Sequence, residues 1–336
     1  MREGWIYLMN NEKISVIIPT YKRCDGLKHA IESVLHQSYP NIEIIVVDDN
    51  VRNSPERQQV AEIMKGYISH EEIKYIQQPD NKGGSAARNA GIRAATGTII
   101  AFLDDDDQYL EHYLKLLYDK MVHGKFQMVF LGNYYKFDGQ YTYVKKRKYE
   151  KESYSIRDVL NGECLISIFF IIRKDLILQS GLFDESLRGY QDCDMWINIS
   201  SQTAIGVVEE PLAICNRDGG ERVTSNILQR EQALNVLTNK WRGIMKAEDR
   251  QDLELFYSRQ MVEFEKQKEN ERLFNAERVK FNILYKALKG NYSWAQKIKL
   301  LLIFLFGKNG QKIYRWLQFE VFNSKLTFFE KSNNTH

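Results

Sequence analysis

Four consecutive aspartates, Asp104 to Asp107, directly follow an apolar run at 99–103. If the run is a buried strand, these carboxylates leave the core together at its carboxyl end, where ligands bind in open α/β sheets. Because side chains alternate along an extended chain, Asp104 and Asp106 face one side and Asp105 the other. Such a pair suits a hard divalent cation that bridges to a phosphate. The alternative is an acidic turn that caps the next helix.

Three side chains elsewhere in the amino-terminal half have the chemistry to complete such a site. Tyr21 and Asp49 each follow an apolar run closely, and Arg88 comes shortly after a Gly-rich loop at 80–84. A tyrosine ring can stack on a flat base, a carboxylate can accept a hydrogen bond from a base or ribose, and a guanidinium can bind phosphates. If the runs are parallel strands, these groups gather at one sheet edge with the aspartates.

A transfer reaction also needs a base that activates the nucleophile. No histidine lies between His123 and His336, so a base from the second half must be a carboxylate or a less usual group. Asp192 and Asp194 lie at the predicted start of a helix, where the dipole favours the ionised form. The alternatives are the acidic pair at 184–185, in a stretch that more often caps a turn.

The elements that position these residues alternate in type along the first 107 positions. The spacing of apolar residues predicts strands at 14–20, 42–47, 73–77 and 99–103. It also predicts helices that begin with Asp25 as a cap, at Pro55, and with Ser85 as N-cap. Near-continuous apolar strands are typical of a parallel sheet covered by helices on both faces.

Beyond residue 107 the pattern becomes less regular. We expect a helix from about Tyr109, strands at 126–131, 141–144, 166–172 and 203–208, and a helix through Met195 and Trp196. Longer connections predict mixed or antiparallel pairing on the acceptor side of a cleft. From Ile227 the chain is predicted to be helical to about Lys289.

The region 294–316 combines lysines and aromatic residues with the apolar run LLLIFLFG. This run is too short to span a bilayer, which takes about 20 residues. It could lie on a membrane surface, or it could be a buried helix that closes the domain.

Composition narrows the class of protein. With a net charge of +3 over 336 residues, nothing global indicates nucleic-acid binding. The four cysteines are scattered without metal-ligand spacing, which favours reduced cytosolic thiols. The first residues lack the apolar core of a signal peptide. We therefore expect a cytoplasmic protein, with peripheral contact at the inner membrane face through 294–316 as a hypothesis.

Four segments in order carry a resemblance to a known family. They are SVIIPTYKR at 15–23, VLHQSYPNIEIIVVDDN at 34–50, NKGGSAARNAGIRAATGTIIAFLDDDD at 81–107 and GLFDESLRGYQDCDMWINI at 181–199. Together they resemble the inverting nucleotide-diphospho-sugar glycosyltransferases of family 2. The resemblance implies a GT-A fold over 1–225, a Rossmann-like, mostly parallel sheet with helices on both faces. A nucleotide-binding half would cover 13–107 and an acceptor half 108–225, followed by a helical extension at 226–336.

The resemblance also implies a role for each matching position. Donor-binding residues would be Pro19, Thr20, Tyr21, Asp49, Arg88, Asp104 and Asp105. The cation, Mn²⁺ or Mg²⁺, would be held by Asp106 with Asp107 close by, and Asp192 would be the general base, with Asp194 as the fallback. Trp196 would help to shape the acceptor site. Arg217 and Arg222 would close over the diphosphate, although a plain surface loop fits them equally well.

The sequence departs from the family at two points. Gln191 stands where the family often has Glu, which leaves Asp192 as the only acid of that pair. The Pro that often follows the aspartates is replaced around Glu111, which we expect to affect only the start of the next helix.

The implied activity is metal-dependent, inverting transfer of a hexose-type sugar, from a UDP-sugar in the first instance. The acceptor would be a saccharide or lipid-linked saccharide, as in surface polysaccharide synthesis. A Rossmann dehydrogenase fits less well because no G-x-G-x-x-G follows the first strand. A nucleotidyltransferase would carry a Gly-rich loop there. A nucleotide-sugar-binding protein without transferase activity is the remaining alternative, against which the retained acidic residues argue.

Overall fold

The computed structural model describes residues 12–67, 69–137, 142–144, 147–164, 166–216 and 227–268. The chain divides into two compact units, Met1–Ser225 and Asn226–His336. In the first unit the described elements, in chain order, are β1 (Ile14–Thr20), α1 (Cys24–Leu35), β2 (Ile42–Asp48), α2 (Pro55–Lys65), β3 (Ile73–Gln77), α3 (Gly84–Ala94), β4 (Ile99–Phe102), β5 (Gln108–Tyr109), α4 (Tyr113–His123), β6 (Met128–Leu131), β7 (Tyr135–Phe137), β8 (Thr142–Val144), β9 (Ser153–Tyr154), α5 (Ile156–Leu160), β10 (Phe170–Arg173), α6 (Lys174–Gln179), α7 (Gln191–Ser200), β11 (Ile205–Val208) and β12 (Ala213–Asn216).

The first four strands form the parallel half of an eight-stranded sheet, in the order β3-β2-β1-β4. Because crossovers between parallel strands are almost always right-handed, the reversal of direction across the sheet after β3 implies that α1 and α2 cover one face of this half and α3 the other. The reversal leaves β1 and β4 as neighbours with carboxyl ends at the same edge. This is the topological switch point, where open α/β sheets bind ligands.

The second half of this sheet has mixed pairing, which confirms the expectation from its irregular sequence pattern. β10 lies antiparallel between β4 and β6, β11 runs parallel to β6, and β9 forms the edge. A second sheet has the order β5-β12-β7-β8. Its strand β5 begins directly after the aspartates, so the second sheet extends the edge at which they lie.

The structure corrects three predicted helix starts. The first helix begins at Cys24, preceded by Arg23 without a side-chain cap, so Asp25 lies within the first turn. The third begins at Gly84, with Gly83 (φ 92°) as its N-cap in place of Ser85. The fourth begins only at Tyr113. Tyr109 belongs to β5 instead, because β5 pairs with β12, a long-range contact that local spacing does not reveal.

In the second unit the structure describes two helices, α8 (Ile227–Ile244) and α9 (Ala247–Lys268). The predicted continuous helix is thus interrupted at 245–246. Arg242 of α8 binds the Glu254 carboxylate of α9 through two guanidinium nitrogens, and both helices bury apolar side chains. Within the described ranges, no helix is long and apolar enough to cross a membrane. The region 294–316 lies outside them.

Candidate active site

The four aspartates form a turn at the carboxyl end of β4, next to the end of β1. The Leu103 amide donates to the Ile17 carbonyl over 3.1 Å, and the Asp107 amide to the Asp104 carbonyl over 3.0 Å. Asp104, Asp106 and Asp107 each contribute a carboxylate oxygen to a group whose members lie within 4.8 Å of one another. At that separation two carboxylates repel by about 3 kcal/mol for an effective dielectric constant of about 20. Three converging hard oxygens fit Mn²⁺ or Mg²⁺.

Two arginines partly neutralise this cluster. The Arg88 guanidinium donates to the Asp104 carboxylate over 2.7 Å, and Arg23 donates to the Asp106 carboxylate. Arg88 reaches the cluster from the second turn of α3, because the Gly-rich loop begins that helix beside the switch point. Two guanidinium groups against three carboxylates leave the cluster with negative charge for a further cation.

Asp105 is not one of the three converging carboxylates, whereas Asp107, which strict alternation would place on the side of Asp105, joins them because the aspartates form a turn. The side chain of Asp105 accepts a hydrogen bond from the Tyr21 amide at 3.3 Å, and the residue is 5 % exposed. Burial raises the pKa of Asp105 to about 7, and the neighbouring carboxylates add to the shift. Asp105 therefore ties the end of β1 to the aspartate turn.

Asp49 holds the Gly-rich loop in place. One carboxylate oxygen accepts from Gln78 Nε2 at 3.1 Å and the Lys82 amide at 2.9 Å. The other accepts from Asn81 Nδ2 at 3.0 Å and the Gly83 amide at 2.8 Å. Burial nevertheless raises the pKa of Asp49, because desolvation outweighs these four bonds. Any contact with a nucleobase would have to share a carboxylate that already binds the loop.

The other predicted donor-binding residues lie at the end of β1. Pro19 is half-buried and Thr20 is 1 % exposed. Tyr21 is one of the exposed large side chains, at 39 %, and its ring is thus available for stacking. The structure therefore brings Tyr21 to the same sheet edge as the aspartates.

The segment with the base candidates is bound to α3. Asn89 Nδ2 donates to the Phe183 carbonyl at 2.9 Å and to Glu185 Oε1 at 2.8 Å, while Asn89 Oδ1 accepts from the Phe183 amide at 3.0 Å. A Cβ atom built on Gly84 would lie 3.1 Å from Arg88 Nη1 and 3.6 Å from Gln191 Oε1. The start of α7 therefore adjoins the start of α3 and its arginine.

The two base candidates differ in access to solvent. Asp192 is exposed in the first turn of α7, whereas Asp194 is 2 % exposed. Tyr190, in the left-handed conformation at φ 59°, precedes the helix and accepts from the Asp194 amide at 2.8 Å. A molecule from solution can therefore reach the carboxylate of Asp192, whereas that of Asp194 is buried.

Trp196 has a different position from the expected one. It is 0 % exposed, donates from Nε1 to the Ser167 carbonyl at 2.9 Å, and packs edge-on against Phe130 at 4.9 Å between ring centroids. The ring lies in the core, so the expectation that it shapes the acceptor site by contact is corrected. The position of Trp196 in the apolar pattern of α7 fits a core residue as well as an acceptor-site residue.

Two further residues of the site were not predicted from the sequence. Arg23 contacts Asp106, and the Asn216 amide donates to Asp107 Oδ1 at 3.0 Å. Arg23 stood within a quoted motif, two positions after Tyr21, which was a usable signal. Asn216 comes from β12, and only the strand pairing brings it near. Arg217 and Arg222 lie outside the described residues.

Comparison with known proteins identifies the class. The model of the family described as Glycosyl transferase family 2 matches residues 15–184, half of the chain. An uncharacterized glycosyltransferase of Rickettsia prowazekii is 30 % identical over 242 residues, which cover 69 % of this chain and 71 % of that protein. The chain therefore belongs to glycosyl transferase family 2.

Individual relatives extend the comparison. An uncharacterized glycosyltransferase of Rickettsia conorii is 32 % identical over 63 % of this chain, and the match spans only 34 % of that longer protein. A GalNAc(5)-diNAcBac-PP-undecaprenol beta-1,3-glucosyltransferase of Campylobacter jejuni is 32 % identical over 190 residues, 56 % of this chain and 59 % of the relative. The chain thus spans about a third of the length of the first relatives and a larger share of others, such as the Campylobacter jejuni protein.

The solved structure of S. aureus TarS residues 1–349 with UDP-GlcNAc has the same fold. It superimposes with a TM-score of 0.64 over 90 % of this chain and 89 % of that one, at 17 % identity. The predicted GT-A fold and the resemblance to family 2 are both confirmed. This low identity establishes the fold alone.

Proposed function

We propose that the protein is a metal-dependent, inverting glycosyltransferase that moves a sugar from a UDP-sugar to a hydroxyl of a saccharide or lipid-linked saccharide. The observation that carries the proposal is the convergence of Asp104, Asp106 and Asp107 within 4.8 Å at the switch point. The UDP-GlcNAc complex of TarS supports a UDP-sugar donor. The Campylobacter relative, whose name includes an undecaprenol-linked saccharide, supports a lipid-linked acceptor.

Residues of the first unit divide the work of binding the donor. The exposed Tyr21 ring stacks on the base, and Arg88 contributes positive charge beside the diphosphate. Asp104, Asp106 and Asp107 would hold the divalent cation, which supplies neutralisation of the charge that develops on the diphosphate leaving group. Asp49 positions the Gly-rich loop and, through it, the start of α3.

Asp192 accepts the proton of the acceptor hydroxyl as that oxygen bonds to the anomeric carbon and the carbon–diphosphate bond breaks. Its exposure and its place at the start of α7, whose neighbour Gln191 adjoins Gly84 beside Arg88, support this role. Attack from the face opposite the leaving group inverts the anomeric configuration.

The test is transfer and hydrolysis with a panel of UDP- and TDP-sugars in the presence of Mn²⁺. Asp106→Ala should abolish metal-dependent turnover, and Asp192→Asn should lower kcat by about 100-fold or more, the scale of general base catalysis. Asp175→Asn, which alters an exposed aspartate in the first turn of α6, is the matched control. If the donor binds but no sugar in the panel is transferred or hydrolysed, a binding protein of the same fold is the better description.

A further inference from the structure

Arg23 has a direct contact with the aspartate cluster that the proposed donor-binding and catalytic roles leave unexplained. Its Nη1 donates to Asp106 Oδ2 and lies 4.0 Å from Asp105 Oδ1. The contacted carboxylate is one of the three that converge to form the cation site. A guanidinium and a divalent cation therefore seek the same negatively charged group.

The backbone around Arg23 fixes the direction from which it approaches. Lys22 adopts φ 60°, in the left-handed region, and its amide donates to Asn50 Oδ1 at 2.8 Å. On the other side, a Cβ atom on Gly26 would lie 2.4 Å from the Asp105 carbonyl oxygen, so the first turn of α1 rests on the aspartate turn. The backbone of Arg23 is therefore held in a fixed position close to Asp106.

The side chain of Arg23 is less confined by its neighbours than that of Arg88. Arg23 is 43 % exposed, while Arg88 is 13 % exposed and its guanidinium carbon lies 5.7 Å from the centre of the Phe183 ring. Arg88 is thus held against Asp104 by its surroundings. Arg23 can turn into solvent, or toward a ligand, without disturbing the core.

We propose that Arg23 competes with the divalent cation for Asp106 and, once displaced, binds the diphosphate of the donor. The inference rests on the proposed function, since it needs both ligands at this site. Guanidinium groups bind phosphate oxygens in a bidentate manner, so the displaced side chain finds a new partner only when nucleotide is present. Cation and donor then strengthen each other's binding, and by linkage the coupling is reciprocal.

The experiment measures free Mn²⁺ by electron paramagnetic resonance on the full chain, with and without UDP. Arg23→Gln should bind Mn²⁺ alone about 3- to 10-fold more tightly, because the competing charge is gone. The same variant should bind UDP more weakly in the presence of Mn²⁺, and UDP should enhance its Mn²⁺ affinity less than in the wild type. Arg23→Lys keeps the charge but not the planar fork, so it should bind Mn²⁺ like the wild type and UDP more weakly.

Arg93→Gln is the matched control, since it removes an exposed guanidinium that lies 3.9 Å from Glu185, and it should change neither affinity. An unchanged Mn²⁺ affinity in Arg23→Gln would overturn the competition, and an unchanged UDP affinity would overturn the contact with diphosphate. A separate variant, Asp106→Ala, tests the metal site of the proposed function. If Asp106→Ala binds Mn²⁺ like the wild type, that site is wrong, whereas loss of binding in Asp106→Ala with no change in Arg23→Gln refutes only the role of Arg23.

Discussion

Asn89 and Phe183 lie 94 positions apart in the chain and are joined by two reciprocal hydrogen bonds. Asn89 Nδ2 donates to the Phe183 carbonyl, and the Phe183 backbone amide donates to Asn89 Oδ1. Asn89 is 1 % exposed and Phe183 2 %. The pair joins α3, which carries Arg88, to the segment that leads into α7 and Asp192. The residues proposed to bind the donor and to act as the base are therefore positioned through one buried side-chain amide.

Replacing this amide should damage both stability and activity. Asn89→Ala leaves the Phe183 amide and carbonyl unpaired in a buried position, so the free energy of unfolding should fall by about 2–3 kcal/mol. Asn89→Asp should be at least as harmful, because it places a carboxylate against the Phe183 carbonyl and the Glu185 carboxylate. Urea unfolding and kcat measure the two effects. The exposed amide of Gln202 is the control, and Gln202→Ala should change stability by less than about 0.5 kcal/mol.

A glycine in the first turn of α1 sets the distance to the aspartate turn. In Gly26→Ala the new methyl group would meet the Asp105 carbonyl oxygen at 2.4 Å, and backbone cannot move aside cheaply. We expect a loss of about 1–3 kcal/mol in stability and weaker Mn²⁺ binding, since the turn is displaced. Gly243→Ala is the opposite case. A methyl group there meets nothing within 4 Å, so stability should rise by about 0.5–1 kcal/mol. Equal effects of the two changes would contradict the packing described.

Much of the parallel half of the sheet was predictable from the sequence, because its strands are apolar along their length and end in the polar residues of the candidate site. The sequence alone predicts that the apolar runs near Tyr21, Asp49 and Asp104 end at one edge of the sheet. The mixed pairing in the second half of the sheet was expected from its longer, less regular connections, whereas the order of the strands was not predicted. Helix-forming periodicity also identified α7.

The remainder depended on contacts between distant positions, which local spacing does not encode. Tyr109 was assigned to a helix, whereas its pairing with β12 makes it a strand residue. Trp196 was assigned to the acceptor site although the same spacing equally describes a core position. The saturation of Asp49 by loop amides could not be inferred either, because a carboxylate at a strand end looks identical whether it binds a ligand or the chain itself.

The pairing of Arg88 with Asp104 leads to a prediction about donor use. Arg88→Ala removes a charge-assisted hydrogen bond of 2.7 Å to Asp104 and the positive charge that we propose lies beside the diphosphate. A loss of about 2–3 kcal/mol in transition-state stabilisation corresponds to a fall of about 30- to 150-fold in kcat/KM for the donor. Arg88→Lys should be intermediate, since it keeps the charge without the planar fork.

Arg93, one turn and a residue further along α3, provides the comparison for Arg88. It is exposed, and Arg93→Ala should leave kcat/KM for the donor within about twofold of the wild type. A result in which both alanine variants lose activity equally would indicate that the general charge of α3, rather than the contact with Asp104, supports the reaction.

The last prediction concerns Glu43, which lies at the opposite end of the sheet from the aspartates and is 1 % exposed. Its carboxylate accepts from Ser15 Oγ at 2.6 Å, from the Thr96 amide at 2.6 Å and from Lys74 Nζ at 2.8 Å. Burial opposes ionisation, yet the bonds, of which that from Lys74 is the strongest, lower the pKa of Glu43 to about 2. The carboxylate therefore stabilises the point where β1, β2 and the end of α3 meet.

The sign of the pH dependence follows from this shift. Because the pKa is lower in the folded state, the unfolded chain binds more protons between about pH 4.5 and 2, and unfolding becomes easier as the pH falls through that range. The full shift corresponds to about 3 kcal/mol, present above pH 4.5 and lost progressively toward pH 2. Glu43→Gln should be destabilised by a similar amount at pH 7 and should lose this part of the acid dependence. Glu62→Gln, at an exposed pair with Lys65, should retain the acid dependence of the wild type in urea titrations across that pH range.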